Sequence, residues 1–413
     1  MPWRSFIKSF SKFFIIKTMK NKILIVTQYF PPDVTAAAFR ISETAALLRA
    51  GGYDVTILTA HPHRSPVQTM ERDEYAQVVR VKISGLSGKE TKGYLKHYLS
   101  FMVNAIVAGV KLKFRPDFVI ASSPPLFVSL AGWLIAKFKR AKFILDIRDI
   151  WPDSAVGTGH IEEKSVFYKT GKVLEKFIYR RADIISCVSK GMRDHIVQIS
   201  KKNIPCLVLY NGLSKKFIDE CQFDSQKEWQ RSDEFVISYV GNMGYAQNLN
   251  QIIDAAAELS TMPVKFALIG EGSVKDALMA SAKQKQLQNV SFQNGCSKEA
   301  AFASQLQSHA LVIILKDSPA FKRTIPSKVF DYLWANKPIL FGIEGEGREL
   351  LASLPGNFYF DVRNPQTLID AVRNLYENYD FYKANAMNNR EFVLSNFTRE
   401  KMTELLIAQL KSL

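Results

Sequence analysis

Short apolar runs alternate with longer amphipathic stretches along most of this chain. "KILIVTQYF" (22–30), "YDVTILTA" (53–60), "DFVIAS" (117–122), "AKFILDIRD" (141–149), "ADIISCVSK" (182–190) and "IPCLVLYNG" (204–212) are rich in Val, Ile, Leu and Phe. That is the pattern of strands covered on both faces. "AAAFRISETAALLRAGG", between the first two, has helical spacing and closes on Gly51-Gly52, a C-cap signal. Strand, helix and strand in this order make a βαβ unit, so residues 21–212 are predicted to form one doubly wound parallel domain. Residues 213–234 are polar and aperiodic and read as a linker. The alternation then restarts, with strands expected over 235–244, 264–272, 289–295, 310–317 and 337–345 and a helix near 248–260. A second doubly wound domain is predicted over 235–397, and the amphipathic stretch 398–413 is expected to pack back on the first. The fold class is α/β, with two Rossmann-like domains. Ligands of open parallel sheets bind beyond the carboxyl ends of the strands, so a cleft between the domains is the expected site.

The length of 413 residues suits two domains, and 47% hydrophobic with 23% charged residues suits chains that build cores. Cys187, Cys206, Cys221 and Cys296 are scattered without a CxxC pair and read as free thiols in a reducing compartment. No His/Cys cluster has metal-ligand spacing. The uncharged run from Phe118 to Ala136 is interrupted by Ser122-Ser123-Pro124-Pro125, which favours a buried strand, loop and helix over a membrane span. The first 20 residues lack a long apolar core and a small-residue cleavage site, so a basic amphipathic arm is expected rather than a secretory signal. The net charge of +16 is uneven: residues 1–213 hold 33 Lys+Arg against 16 Asp+Glu, and the rest hold 22 against 23. The first half is therefore expected to face a polyanion, nucleic acid or an anionic membrane.

Three strand-end loops of the second half suit a diphosphate. In "TIPSKVFDYL", Pro326 is placed to open a helix, with Ser327 and Lys328 in its first turn, where unpaired N–H groups attract anions, and Asp331 one turn on. In "YVGNMGYAQNL", Gly241 permits close backbone approach, and the N–H groups of Asn242 to Gly244 are candidates for a phosphate. "LIGEGSVKDAL" repeats the arrangement with Gly270 and Glu271. "FKRTIPSK" adds Lys322 and Arg323 ahead of Thr324, Ile325, Pro326 and Ser327. There is no dinucleotide fingerprint, no Walker loop and no Asp-x-Asp motif. In the first half, "PPDVTAAAFR" offers Asp33, Thr35 and Ala36, with Thr35 also placed to cap the following helix. "DIRDIWPDS" sets Arg148 beside Asp149 as a candidate buried pair, with Trp151 as core or rim, and His61 and His63 follow the second strand.

The order "TQYFPPD", "DIRDIWPDS", "LYNG", "YVGNMGYAQNL", "IGEG", "PSKVFDYLWANKPIL" resembles the GT-B glycosyltransferases of retaining family four. The resemblance runs through residues 21–400 or so and is nearest the O-antigen, capsule and colanic-acid branch, which includes N-acetyl-fucosaminyl transferases. It implies a second domain that binds a UDP-sugar, with Asp331 on the ribose hydroxyls. Arg323 stands where the family commonly has Glu, and Asn242 and Gln247 lie in a loop that commonly carries Arg and Lys. Lys322, Arg323 and Lys328 are therefore expected to supply the positive charge. The first domain takes the acceptor side, with Asp33, Thr35, Ala36 and His61, and Arg148 stands where relatives often have His. Candidate catalytic residues are Arg148, Asp149 and Lys328. The implied reaction is retaining and needs no metal or other cofactor, with the departing phosphate taking the acceptor proton. For an inverting outcome, Asp149 or Asp33 is the base to test.

The implied acceptor is linked to undecaprenyl diphosphate, which places the protein on the cytoplasmic face of a bacterial inner membrane. Residues 89–115 carry an apolar middle between Lys89, Lys92, Lys96, Lys111, Lys113 and Arg115, and "KFKRAKF" (137–143) and "YRRADI" (179–184) extend the patch. One alternative is a UDP-sugar epimerase of the same fold. Another is a nucleic-acid-binding protein, but the basic residues flank apolar helices, which suits lipid, so no nucleic-acid partner is expected.

Overall fold

The structure, a computed structural model, describes residues 21–33, 35–63, 77–85, 91–159, 161–220 and 234–413. The N-terminal arm, Lys89, Cys221 and most of the expected linker lie outside these residues, as do the side chains of Thr91, Lys92 and Tyr94. The first sheet contains β1 (Lys22–Val26), β2 (Asp54–Ala60), β3 (Gln77–Val81), β4 (Phe118–Ser123), β5 (Lys142–Ile147), β6 (Ile184–Cys187) and β7 (Cys206–Val208). Its order is 3-2-1-4-5-6-7, parallel throughout. The second contains β8 (Phe235–Val240), β9 (Val264–Ile269), β10 (Val290–Gln293), β11 (Ala310–Ile314), β12 (Ile339–Gly342) and β13 (Phe358–Tyr359), in the order 10-9-8-11-12-13 and again parallel. Both are doubly wound, and the order reverses between β1 and β4 and between β8 and β11. Those are the places where such sheets open a crevice at their strand ends.

Each sheet is buried on both faces, as parallel sheets must be. One face of the first packs Leu24, Val26, Leu145 and Ile185 against the helices Thr91–Lys111, Leu126–Lys139 and Val166–Tyr179. Its other face holds Ile23, Ile25 and Ile57 together with Met402, Leu406 and Leu410 of the last helix, Arg399–Leu410. That helix follows the second domain in sequence yet completes the core of the first. Burying those three side chains contributes about 1.5–3 kcal/mol each. The crossing is tight: Leu213 bridges Thr398, and a Cβ on Gly212 would stand 2.1 Å from the Phe397 carbonyl oxygen.

Two expectations change. The stretch read as a linker contains the helix Lys215–Glu220, because Phe217 is an apolar anchor there. Its ring lies 5.4 Å from Trp334 and 6.0 Å from Phe302. A single aromatic gives no periodic signal, so the polar surroundings hid it. The helix expected to open on Pro326 begins at Lys328, with Ser327 as its N-cap. Pro326 instead accepts from Val329 N–H in a tighter preceding turn.

Candidate active site between the two domains

The two domains touch through a set of polar contacts. Arg323 of the second domain pairs with Asp153 of the first at 2.9 Å, and Ser189 Oγ donates to the Arg323 carbonyl. Glu346 accepts from Lys190 N–H at 2.6 Å and from the Tyr210 hydroxyl at 2.7 Å. The N–H of Lys190 belongs to the start of the helix Lys190–Ser200, so a carboxylate of one domain caps a helix of the other.

On the second domain, the loops after β8, β9 and β11 and the start of the helix Lys328–Ala335 meet. Gly241 N–H donates to Ile269 O, Met243 N–H to Glu271 O, and Gly244 N–H to Gln247 Oε1. Of the four N–H groups from Gly241 to Gly244, only that of Asn242 is left without an acceptor among the described residues. The expected three-donor phosphate cradle is thus mostly spent inside the loop. At the helix start, the N–H groups of Ser327 and Lys328 have no acceptor among the described residues. Gly270 holds φ at +147°, and a Cβ there would lie 2.0 Å from the Gly241 carbonyl oxygen. Gly270→Ala is expected to lower stability by about 3 kcal/mol, through strain and overlap together. Chemical denaturation checks this.

Lys328 is the central cation. Its Nζ is buried and has no hydrogen-bond partner among the described residues. It sits 3.6 Å from the centroid of the Tyr239 ring, and a Cβ on Gly241 would come within 3.0 Å of it. Burial brings its amine down to about 7, with Asp331 pulling the other way. A buried ammonium with only a ring face for company is a site short of an anion. Asp331 is also raised above the ordinary carboxylate value, first by burial, against the nearby charges of Lys298 and Arg399. It makes no ion pair with Lys328.

The other expected cations are occupied. Lys322 Nζ pairs with Asp317 at 2.8 Å, and Arg323 is the interdomain contact to Asp153. Of the three expected to replace the missing loop cations, only Lys328 is unpaired. Glu271 is largely exposed and accepts from Gly295 N–H and Lys275 Nζ, both at 3.0 Å, which hold it below its ordinary value. Ile325 is buried in the core, and the Thr324 hydroxyl donates to Phe321 O.

On the first domain, Arg148 does not pair with Asp149. Its Nε faces Asp146 Oδ2 at 3.9 Å, beyond hydrogen-bond reach, and burial lowers it to about 10. Arg148 and Asp149 lie in the bend that follows β5, past the end of the strand, where the Arg148 side chain reaches back to Asp146. Burial lifts Asp149 to about 6, while bonds from the Ser154 hydroxyl and Ile150 N–H pull it back. The tight ion pair is Arg40 Nη2 to Asp146 Oδ1 at 3.0 Å, joined by Ser186 Oγ at 2.9 Å, with Arg40 Nη1 on Asn211 Oδ1 at 2.6 Å. Thr35 caps the helix Ala36–Ala50 by accepting from Ala38 N–H, and Ala36 is exposed. His61 is exposed. His63 is the inward histidine: its N–H donates to Asp33 Oδ1 at 3.0 Å, and its ring lies against Tyr29 and His97. Trp151 packs edge-on to Phe167. The "HPH" after β2 offers two histidines in an irregular loop, and only the contact with Asp33 distinguishes His63.

Two Rossmann-like domains, a cleft between strand ends and a last helix returning to the first domain define the GT-B class of glycosyltransferase. The sequence carries the same assignment: residues 35–212 match the glycosyl transferase 4-like domain and residues 222–392 match the glycosyl transferases group 1 domain. The chain belongs to the group 1 glycosyltransferases. It is 26% identical over 333 residues to WcaI of Escherichia coli K12, described as a colanic acid biosynthesis glycosyl transferase, covering 76% of this chain and 81% of that one. It is 31% identical over 156 residues to a Campylobacter jejuni N-acetylgalactosaminyltransferase whose named acceptor is a diphospho-undecaprenol saccharide, covering 35% and 41%. Among solved structures, the Anabaena protein HepE in complex with UDP and glucose superimposes with a TM-score of 0.71 at 14% identity, covering 95% of this chain and all of that one.

Proposed function

We propose that the protein transfers a sugar from a UDP-sugar to a saccharide carried on a lipid diphosphate, in the assembly of a bacterial surface polysaccharide. The observation that carries this is Lys328, a buried cation with no anion, at a strand-end Gly loop beside two free N–H groups of a helix start. A diphosphate supplies what that site lacks. Asp331 stands one helical turn away, where it accepts the ribose hydroxyls. The acceptor hydroxyl enters from the first domain, over Arg148 and the Asp33–His63 pair.

In the reaction the bond from the sugar anomeric carbon to the β-phosphate oxygen breaks, and the acceptor oxygen bonds to that carbon. The departing diphosphate takes the acceptor proton on the same face, so configuration is retained. Lys328 and the N–H groups of Ser327 and Lys328 stabilise the charge that grows on the diphosphate, without a metal. The acceptor class follows the named acceptor of the Campylobacter relative, and the polysaccharide setting follows WcaI. The donor follows HepE and its bound UDP. No helix of the described residues is long and apolar enough to cross a membrane. A lipid-linked acceptor therefore calls for docking at the membrane surface, on the cytoplasmic side.

A panel of UDP-sugars offered with a lipid-diphosphate-linked N-acetylhexosamine tests the assignment. One donor should extend the acceptor by one sugar and release UDP. The Asp331→Ala variant should lose at least 100-fold in kcat/KM, about 2.7 kcal/mol, while its melting curve stays cooperative. Conversion of a UDP-sugar to its isomer with the acceptor untouched would make the protein an epimerase instead.

A further inference from the structure

The helices Leu126–Lys139 and Val166–Tyr179 end side by side at the edge of the first sheet where β5, β6 and β7 begin, opposite the cleft. Their last turns and the corner at Lys202 enclose an open basin of about 750 Å³. Five cations line it, Lys137, Lys176, Arg180, Arg181 and Lys202, and no acid does. Two stretches some 40 residues apart in sequence, 137–143 and 179–184, thus meet in one place.

Basic residues at helix C-termini often only satisfy carbonyl groups. Arg180 and Lys202 do this, on Ser200 O and Arg180 O. Lys137, Lys176 and Arg181 have no acceptor among the described residues. Arg181 is held instead over aromatic rings, its Cζ 4.9 Å from the Phe177 centroid and 5.5 Å from that of Trp133, and Lys137 Nζ lies 5.5 Å from the same Trp133 ring. Val173 on the rim is 71% exposed, and Phe138 next to Lys137 is 66% exposed.

We propose that this basin is the headgroup site through which the protein seats on an anionic bilayer. The phosphates of acidic phospholipids enter between Lys137, Lys176 and Arg181, and Phe138 and Val173 reach the acyl boundary. The inference rests on the membrane-surface setting proposed above and names its contact. Cations without acids match a phosphate surface, and exposed apolar side chains beside them match its hydrocarbon edge. Single-stranded RNA fits less well, because it stacks bases on open ring faces and those of Trp133 and Phe177 are covered by Arg181 and Lys137.

The test is sedimentation of the full chain with phosphatidylcholine vesicles, with and without phosphatidylglycerol. The wild type should partition onto the phosphatidylglycerol vesicles. The Lys137→Ala/Arg181→Ala double variant should bind them roughly 25-fold more weakly, at about fivefold per basic residue. Its melting curve and its transfer to a detergent-solubilised acceptor should match the wild type. If the double variant partitions like the wild type, the basin is not the contact, although the membrane setting stands. If the wild type binds neither vesicle, both fall. Tighter retention of single-stranded RNA than of phosphatidylglycerol would replace lipid as the occupant. None of these outcomes depends on the donor assignment, because binding is read without turnover.

Discussion

Lys328→Met will lower UDP-dependent transfer by roughly 10²–10³-fold and raise the melting temperature. The first effect follows from the reaction: a positioned cation that meets the leaving diphosphate is worth that much in turnover. The second follows from the free protein, where Lys328 Nζ is buried without a hydrogen bond. A methionine of similar length fills the space and removes an uncompensated polar group. Relief of about 1–2 kcal/mol corresponds to a gain of about 2–8 °C in a domain of this size. A residue needed only for packing would lose stability and activity together, so opposite signs mark a residue kept for binding.

The same lysine sets a pH dependence. Its ordinary value of 10.5 is brought down to about 7 in the folded chain. Between those two values the unfolded chain keeps a proton that the folded chain has lost. Stability should therefore rise with pH above 7, and Lys328→Met should remove that slope. UDP binding runs the opposite way, because the diphosphate selects the charged amine. Wild-type affinity should fall about tenfold per pH unit above 7, with proton uptake visible by calorimetry in buffers of different ionisation heat.

Asp146→Asn will cost about 3–5 kcal/mol of stability, read as a lower urea midpoint. Asp146 is nearly buried and is, among the described residues, the only carboxylate paired with Arg40, and Arg148 stands 3.9 Å from its other oxygen. Removing the charge but not the shape leaves two buried guanidiniums without an anion, and breaking one side of a buried pair is the costly case. Replacing both partners, as Arg40→Met/Asp146→Leu, should recover much of the loss, since an apolar pair of similar volume avoids the desolvation cost.

The doubly wound fold was legible because both sheets are parallel and covered, so each strand reads as an apolar run bounded by a helix. The edge strands Gln77–Val81 and Phe358–Tyr359 were not legible, being half-buried and short. The site was legible as loops but not as partners. Lys322, Arg323 and Lys328 look alike in sequence. Only the fold shows that Asp317 takes the first, that Asp153, 170 positions away in sequence, takes the second, and that none of the described residues takes the third. Adjacency misled in the same way at Arg148-Asp149, where the bend after β5 leaves Asp146 as the carboxylate nearest the Arg148 guanidinium. His61 and His63 are two residues apart on the same loop, and the choice between them rests on the Asp33 contact, which pairs positions 30 apart.

The central claim is that the donor's diphosphate lies in the gap between the domains, against Lys328. The most direct measurement is a crystal structure of the protein with UDP. The diphosphate should sit about 3 Å from Lys328 Nζ and from the N–H groups of Ser327 and Lys328, with the ribose at Asp331. Diphosphate density bound elsewhere, with Lys328 still resting on the Tyr239 ring, would contradict the account.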